Sequence, residues 1–340
     1  MLTWLPRLNI VPDRIIRTAI RVMLRQRLKH EKSPDAALQS EKLASLITEL
    51  RQSPIAVNTQ DTNRQHYEVP ASFFGLVLGN KLKYSCGLWS EDVHTLDESE
   101  IKMLDLTISR AGINDGQQIP DLGCRWGSFT LYAAGKFKHA HFTAISNSGS
   151  QKVFIENKAR ALHLSNITAI TSDINNFNPP QKFDRFVSVE MLEHILNYAA
   201  LFEKIKQWLA TNGQFFVHIL QHRHYTCKFE VRSNRDWMAK YFFTGGMMPS
   251  KQLFSNFSEK LKITGQWTIN GLHYSKTLEA WLENMDNHKP EILEIFRKTN
   301  EKQAAQFWIW WRIFFMACSE TFRFNSGNEW QVGHYLFERQ

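Results

Sequence analysis

Short apolar segments alternate with amphipathic helical segments along the middle of the chain, and this alternation restricts the fold more than any other feature. It predicts strands over 117–122, 141–146, 167–172, 183–189 and 214–220. It predicts helices over 98–111, 128–137, 150–164 and 198–209. Strands and helices that alternate at this spacing are typical of parallel strands joined by right-handed crossovers. We therefore expect an α/β fold with a doubly wound, mostly parallel sheet.

The segments on either side of this region differ from it in composition and in hydrophobic periodicity. Residues 1–65 read as a polar, helical N-terminal extension that is interrupted at Ser33-Pro34 and again at Ser53-Pro54. Residues 66–340 form the main domain, in which we interpret an aromatic-rich and charge-rich insert at about 221–250 as a lid. A long helix over 301–322 and a strand over 332–337 are expected to close the chain.

Composition excludes several classes of protein. Apolar residues make up 43% of the chain and charged residues 22%, which is typical of a globular protein and not of a disordered or fibrous one. The four cysteines form no C-x-x-C pair, so neither a disulfide framework nor a metal site is expected. We find no signal peptide, and the longest apolar stretch, 307–317, is too short to span a bilayer. A cytoplasmic protein is the resulting expectation.

Positive charge is concentrated at the N-terminus. The net charge is +8, and the first 32 residues hold eight Lys or Arg against two acidic residues. Arg14, Arg17, Arg21 and Arg25 follow helical spacing and form a stripe. We favour packing of this helix on the main domain, and the alternative is peripheral contact of residues 14–32 with an anionic membrane. Nucleic-acid binding is not expected because the charge is not interleaved with aromatic residues, and the oligomeric state stays open.

A turn rich in small residues follows the first predicted strand. It reads Asp121-Leu122-Gly123-Cys124-Arg125-Trp126-Gly127-Ser128 and leads into a helix. Such a turn lets the backbone approach a ligand and aims helix N–H groups at negative charge. The three glycines of a dinucleotide fingerprint are absent. An acidic residue before the turn suits a ligand with an amino-acid tail and a ribose.

Two carboxylates and an imidazole follow the fourth predicted strand. If a helical turn begins at Glu190, then Glu190, Glu193 and His194 share one face of it. Close carboxylates raise one pKa, which suits a general base near neutral pH. The alternative is a solvated helix start, in which acidic residues complement the helix dipole.

Several motifs, occurring in one order, carry a resemblance to a known family. They are the runs at 84–89, 121–127, 146–151 and 190–194, with further matches at 241–246, 270–274 and 328–330. Over about residues 10–340 the chain resembles the S-adenosylmethionine-dependent methyltransferases of the cyclopropane fatty acid synthase family, and most of all the coclaurine N-methyltransferase branch. The resemblance implies a class I methyltransferase, Rossmann-like fold and S-adenosylmethionine as cofactor.

The resemblance also implies a cofactor site. Its residues would be Tyr84, Ser85, Asp121, Gly123, Gly127, Ser146, Asn147, Gln151 and Asp173. Gly123 and Gly127 would allow the backbone to approach the methionine moiety, and Asp173 would accept a hydrogen bond from the adenine. Two residues depart from the family pattern, because Arg125 replaces a glycine and Pro120 replaces an aliphatic residue. Binding would be retained if Arg125 kept a negative φ and pointed outward.

The resemblance predicts methyl transfer to the nitrogen of a hydrophobic small-molecule amine. Glu193 and His194 would remove the proton, and Glu190 would orient the acceptor or share the proton. The alternative is methylene transfer to an unsaturated lipid, as in cyclopropane synthases, with bicarbonate held by Cys86, Glu193, His218 and Tyr274. Glu190 argues against that alternative, because the lipid enzymes usually have a small residue there. A second alternative is a catalytically impaired relative, altered at Pro120 and Arg125.

Aromatic residues are expected to build an apolar roof over this site. Candidates are Trp237, Tyr241, Phe242, Phe243, Met247, Met248, Phe307, Trp308, Trp310, Trp311, Phe314 and Phe315. Aromatic faces suit both an organic cation and an acyl chain. For Trp308 and Trp311, ordinary core packing is the favoured interpretation.

Overall fold

A computed structural model describes most of the chain. It covers residues 11–32, 35–57, 69–179, 181–230, 242 and 245–340. Residues 231–241, 243 and 244 of the predicted lid, which include Trp237, Tyr241 and Phe243 of the predicted roof, lie outside these described residues.

The described residues form a seven-stranded sheet and a two-stranded ribbon. In chain order the strands are β1 (Gln118–Leu122), β2 (His141–Ser146), β3 (Ile167–Thr171), β4 (Phe183–Val189), β5 (Leu209–His222), β6 (Cys227–Lys228), β7 (Met247–Met248), β8 (Leu261–Ile269) and β9 (Trp330–Arg339). The sheet order is β3-β2-β1-β4-β5-β9-β8, and β6 pairs with β7. Strands β1 to β5 are parallel, whereas β9 runs antiparallel to both β5 and β8. The doubly wound, mostly parallel sheet is confirmed.

Helices cover the sheet and extend beyond it. Within the described ranges they are α1 (Asp13–Glu31), α2 (Ala36–Gln52), α3 (Ala71–Val77), α4 (Leu96–Ala111), α5 (Ser128–Lys136), α6 (Gly149–Ala161), α7 (Tyr198–Trp208), α8 (Gly271–Asn287), α9 (Lys289–Asn300) and α10 (Ala304–Arg323). Local sequence fixes their ends. A capping box between Thr95 and Glu98 starts α4, and Gly112 at φ +61° ends it.

The sequence pattern did not predict the strand and helices over 261–300. Strand β8 lies at the sheet edge, and its side chains alternate between half-buried and exposed positions, which leaves only a weak apolar signal. Helices α8 and α9 pack against α10 and α3. They do not belong to the alternation of strands β1 to β5 with helices on which the prediction was based. The predicted helix over 301–322 is a 3₁₀ turn at Glu301–Gln303 followed by α10.

Pro120 lies inside β1, and the ladder accommodates it. Its partner on β2 is Thr143, whereas pairing of β1 with β4 begins only at Asp121. Alternate backbone N–H groups of a strand point to the same edge. Gln118, two residues earlier, donates its N–H to the Asp184 side chain at 2.8 Å rather than to a ladder carbonyl. A backbone N–H at position 120 would therefore face β4, at a point where β1 and β4 are not yet paired along the chain. The missing N–H of Pro120 thus removes no hydrogen bond between these two strands.

Helix α1 packs on α10 through an ion-pair cluster. Glu320 is fully buried and accepts from Arg17 at 3.2 Å and from Arg21 at 2.7 Å. Arg17 also binds Glu279 through both guanidinium nitrogens, at 2.6 and 2.8 Å. Two residues of the arginine stripe thus face the rest of the protein, while Arg14 and Arg25 are exposed. Among the described residues, no helix combines the length and apolarity that crossing a bilayer requires.

We expect Glu320→Gln to lower the free energy of unfolding by about 1–3 kcal/mol, because charged hydrogen bonds to Arg17 and Arg21 are lost inside the protein. Denaturant unfolding measures the change. Glu156→Gln, which removes an exposed i,i+4 pair with Lys152, is the control and should stay within about 0.5 kcal/mol of wild type. Equal stability of both variants and the wild type would contradict this role of Glu320.

Candidate active site

Three cavities meet at the carboxyl edge of the sheet, where the strand order reverses between β1 and β4. The β2 cavity is lined by Gly123, Ser146, Asn147, Asp173, Met191 and His194, among others. The turn cavity is lined by Tyr84, Ser85, Asp121, Gly123, Arg125 and Ser128, among others. The aromatic cavity, of about 120 Å³, is lined by Tyr84, Arg125, Glu190, Glu193, His194, Tyr274, Trp281 and Phe314, among others. Shared residues link the three: Gly123, His194, Tyr84 and Arg125 each line two of them.

The glycines of the turn are required by the protein's own packing. Gly123 and Gly127 both have φ +76°. A Cβ at Gly123 would lie 2.5 Å from Met191 Cγ, and one at Gly127 would lie 2.8 Å from Ile155. Gly123 lines two cavities, whereas Gly127 serves as the N-cap of α5. These contacts give a second reason for glycine, beside the predicted approach of a ligand.

Arg125 has a φ of +49°, so the negative φ on which retained cofactor binding was made conditional is not observed. A left-handed conformation costs a residue with a Cβ about 1–2 kcal/mol. Arg125 Nη2 donates to the Glu190 carbonyl at 2.8 Å, and the guanidinium lies 5.4 Å from the centre of the Tyr84 ring. These contacts hold the arginine in the wall between the turn cavity and the aromatic cavity.

Gln151 Nε2 and Ser128 Oγ are among the buried polar atoms that have no hydrogen-bond partner in the described part of the chain. Gln151 Oε1 accepts from Ser146 at 2.6 Å, and Ser128 is the first residue of α5 and lines the turn cavity. Unpaired buried polar groups carry a free-energy cost that a bound polar ligand can remove.

Two predicted acidic residues have polar partners within the site. Asp121 accepts from Thr130 at 2.8 Å, and burial raises the pKa of its carboxyl to about 7. Asp173 accepts from the backbone N–H of Asn175 at 2.8 Å and lines the β2 cavity.

Glu190 is where the predicted geometry and the observed geometry differ most. The helical turn considered at Glu190 does not begin there: the φ of Glu190 is +48°, and a 3₁₀ helix begins only at Leu192. The turn nevertheless brings Glu190, Glu193 and His194 to the wall of the aromatic cavity.

The Glu190 carboxylate is surrounded by donors from three separate parts of the chain. Oε1 accepts from the Cys86 N–H at 3.0 Å and lies 3.2 Å from His218 Nε2. Oε2 accepts from the Tyr274 hydroxyl at 2.8 Å. Cys86, His218 and Tyr274, which the resemblance implies for an oxyanion, therefore do converge, but on a carboxylate of the protein. The Cys86 thiol is itself buried, and burial raises its pKa well above the ordinary value.

Glu193 is equally buried but has far fewer donors. Oε1 accepts from the Leu220 N–H at 2.6 Å, while Oε2 has no hydrogen-bond partner in the described part of the chain. Burial, and then the charge of Glu190, raise the pKa of Glu193 to about 8. Burial also raises the pKa of Glu190, but the nearby Lys83 cation and its donors oppose that rise. The two carboxylates thus differ in how well their charge is stabilised.

Sequence reasoning missed Lys83 and Glu100, which support the site from behind. The buried Lys83 ammonium binds the Ser85 hydroxyl and donates to the Cys86 carbonyl at 2.8 Å. Glu100 accepts backbone N–H groups of Gly79, Lys81 and Lys83 at 2.9–3.2 Å, and burial raises its pKa to about 7. Glu100 lies on a predicted helix among other polar residues, so no pattern in the sequence marked it as buried.

The aromatic roof differs in part from the expectation. Of the aromatic residues predicted over 307–315, Phe314 lines the cavity, while Trp308 and Trp311 pack in the core, as the favoured interpretation held. Phe242 stacks on Phe314 with ring centres 4.1 Å apart, and Met247 and Met248 line the cavity. Helix α1 contributes Leu24 and Arg27 to the wall.

Comparison with known proteins places this arrangement in a family. Residues 56–332 match the mycolic acid cyclopropane synthetase family. The chain belongs to that family. The resemblance predicted from the motifs, to S-adenosylmethionine-dependent methyltransferases of the cyclopropane synthase type, is confirmed.

Similar proteins include enzymes of both branches. The (S)-coclaurine N-methyltransferase of Papaver somniferum is 36% identical over 337 residues, which are 98% of this chain and 96% of that protein. The crystal structure of a coclaurine N-methyltransferase bound to N-methylheliamine and S-adenosylhomocysteine matches with a TM-score of 0.95 at 35% identity, covering 99% of this chain and 98% of that one. The cyclopropane-fatty-acyl-phospholipid synthase of Escherichia coli is 26% identical over 272 residues, 79% of this chain and 66% of that protein.

Replacing Arg125 tests whether its side chain obstructs the cofactor. We expect Arg125→Gly to bind S-adenosylhomocysteine with a Kd within about threefold of wild type by calorimetry, because the Glu190 carbonyl and the Tyr84 ring hold the guanidinium in the wall between the turn cavity and the aromatic cavity. Arg125→Ala, which keeps a Cβ at positive φ, separates the backbone effect from the side-chain effect. A gain or loss of tenfold or more in Arg125→Gly would show that the arginine controls cofactor access.

Proposed function

We propose that the protein transfers a methyl group from S-adenosylmethionine to the nitrogen of a hydrophobic small-molecule amine, with Glu193 and His194 taking the proton. The unpaired Glu193 oxygen at the wall of an aromatic cavity carries the proposal. Relatives that cover nearly the whole chain are N-methyltransferases, which supports the same reaction.

The β2 cavity and the turn cavity offer residues that fit the cofactor. Asn147, Ser146 and Asp173 line the β2 cavity and can hold the adenosine. Tyr84, Ser85 and Asp121 line the turn cavity. The unpaired Ser128 hydroxyl and the N–H groups at the start of α5 can bind a carboxylate, and Gln151 Nε2 is a second unpaired donor. When bound, S-adenosylmethionine supplies a methyl group to a lone pair, and its sulfur keeps the bonding electrons.

The protein's own residues would prepare the acceptor nitrogen. An ammonium group has no lone pair, so one proton must leave before the nitrogen can form a bond to the methyl carbon. Glu193 is suited to accept that proton because its carboxylate has a raised pKa and a free oxygen. Glu190 would stay ionised and stabilise the cationic form. The ring faces of Tyr84 and Trp281, and that of Phe314, can stabilise an organic cation within the cavity.

The lipid alternative fits these contacts less well. A bicarbonate between Cys86, His218 and Tyr274 would meet the Glu190 carboxylate, which already takes their donors. The second alternative, an impaired relative, rests on Arg125 and Pro120, whose contacts the fold accommodates.

We also propose that helix α1 of the N-terminal extension and the described residues of the insert at about 221–250 together cover the aromatic cavity. Leu24 and Arg27 from the first segment, and Phe229, Met247 and Met248 from the second, line its wall.

The reaction is tested by incubating the protein with labelled S-adenosylmethionine and either a panel of hydrophobic amines or vesicles of unsaturated phospholipid. We expect label in the amine fraction, because the cavity joins aromatic faces to an unpaired carboxylate oxygen. Label in the lipid fraction alone would establish the cyclopropane synthase alternative.

Glu193→Gln is expected to lower kcat about 100-fold or more and to leave S-adenosylhomocysteine binding unchanged, because a base is lost and the shape is kept. In the wild type, kcat/KM should rise with pH up to about 8 and then level off, since the active, ionised form of Glu193 accumulates as pH rises through its raised pKa. Any rise of kcat/KM with pH that remains in Glu193→Gln reflects deprotonation of the acceptor amine itself. Glu283→Gln, on the exposed side of α8, is the control. Equal loss of turnover and cofactor binding would instead make Glu193 a structural residue.

A further inference from the structure

Behind Glu190 lies a row of buried polar side chains that crosses the sheet. His218 on β5 is paired with His334 on β9, and His334 is paired with Trp267 on β8. Both histidines are fully buried. Directly opposed residues on neighbouring strands point to the same face of a sheet, so the two imidazoles meet side by side. His334 Nε2 lies 2.9 Å from His218 Nδ1.

Arg110, at the end of α4, closes this row. Its Nη1 lies 2.9 Å from His334 Nδ1, and its guanidinium lies 4.9 Å from the centre of the Trp267 ring. The row therefore runs from Arg110 through His334 and His218 to Glu190 Oε1.

The chemistry of the arginine gives this row a direction. A guanidinium can only donate, so His334 Nδ1 must accept and the ring proton of His334 lies on Nε2. His218 Nδ1 then accepts from His334, which leaves the proton of His218 on Nε2, aimed at Glu190. Both imidazoles are neutral, because burial lowers their pKa values well below the ordinary value. Every hydrogen in the row thus points toward the Glu190 carboxylate.

We propose that Arg110 and His334 are positioning residues that fix the tautomer of His218 and thereby hold Glu190 ionised, so that the acceptor's proton goes to Glu193. This inference rests on the proposed function in one respect, namely that Glu193 accepts the proton of the acceptor amine. Among the described residues, three groups contact the Glu190 carboxylate, whereas Glu193 accepts from the Leu220 N–H through Oε1 and has no partner at Oε2. The row cannot carry a proton away from Glu190, because His218 Nε2 already bears one. It therefore acts by orientation and not as an exit path.

Other charged and titratable groups near Glu190 do not replace this row. They are Lys83, Cys86, Arg125, Glu193, Tyr274 and Cys318. Lys83 acts through its charge, since its ammonium is engaged by Ser85 and the Cys86 carbonyl. Arg125 donates to the backbone carbonyl of Glu190 and not to the carboxylate.

The test compares His334→Leu with His334→Gln. Leucine removes the donor to His218, whereas the amide nitrogen of glutamine can restore it. In His334→Leu, the state in which both Glu190 and Glu193 are ionised is less stable. The rise of kcat/KM with pH should therefore shift by about one pH unit to higher pH. We expect kcat/KM to be about tenfold lower at pH 7 and to recover at high pH. In His334→Gln, the rise of kcat/KM should lie close to the pH at which it occurs in the wild type. Superimposable profiles for wild type and His334→Leu would overturn the proposal while leaving the proposed function intact.

A spectroscopic readout separates this inference from the activity. With ¹⁵N-labelled histidine, the ligand-free protein should show His218 as the Nε2–H tautomer, and His334→Leu should lose that preference. Arg110→Met, at a half-buried position with less risk to folding, should release the tautomer of His334. His222→Leu removes another buried imidazole of β5, which does not contact Glu190, and should leave His218 unchanged. An Nδ1–H tautomer of His218 in the wild type would contradict the row, whatever the enzyme methylates.

Discussion

Two carboxylates are buried beside one cavity, and the unequal distribution of donors between them is the interaction on which the site depends. Within the described residues, the Glu190 carboxylate has the Cys86 N–H, His218 and Tyr274 as partners, whereas Glu193 Oε1 accepts from the Leu220 N–H and Glu193 Oε2 has no partner. Two adjacent like charges in a dry environment destabilise each other. The donors favour the charge on Glu190, whereas burial and the charge of Glu190 raise the pKa of Glu193 to about 8. The division of labour between a fixed charge and a base follows from that difference.

The backbone is strained where these groups are positioned. Arg125 and Glu190 both adopt a positive φ, and they bind each other through the arginine side chain and the glutamate carbonyl. Left-handed residues with a Cβ persist only where the surroundings fix them, and such residues cluster at functional sites. Here the contact joins the turn after β1 to the turn after β4, on the two sides of the point where the strand order reverses. Arg125 thereby becomes part of the wall between two cavities.

The periodic parts of the fold could be predicted from the sequence, because strands β1 to β4 and their crossover helices carry a strong apolar period. The predicted ends of β2 and β4 coincide with the observed ones. Strand β8 escaped prediction because an edge strand with one polar face has little apolar signal. The motifs led to Glu190, Glu193 and His194, but not to the backbone that brings them together, because Glu190 adopts a left-handed conformation and does not begin a helical turn. Lys83, Glu100, Arg110 and His334 have no local signature, since their roles arise from contacts between distant segments.

Infrared difference spectroscopy of the protein between pH 6 and pH 9 tests the central claim most directly, because it observes carboxyl protonation without a substrate. Asp121 and Glu100 also protonate near pH 7, so the informative quantity is the difference between the wild type and Glu193→Gln. The account predicts a protonated carboxyl band that is lost with a midpoint near pH 8 in the wild type and is absent from Glu193→Gln. A band near pH 8 that survives in Glu193→Gln would contradict it.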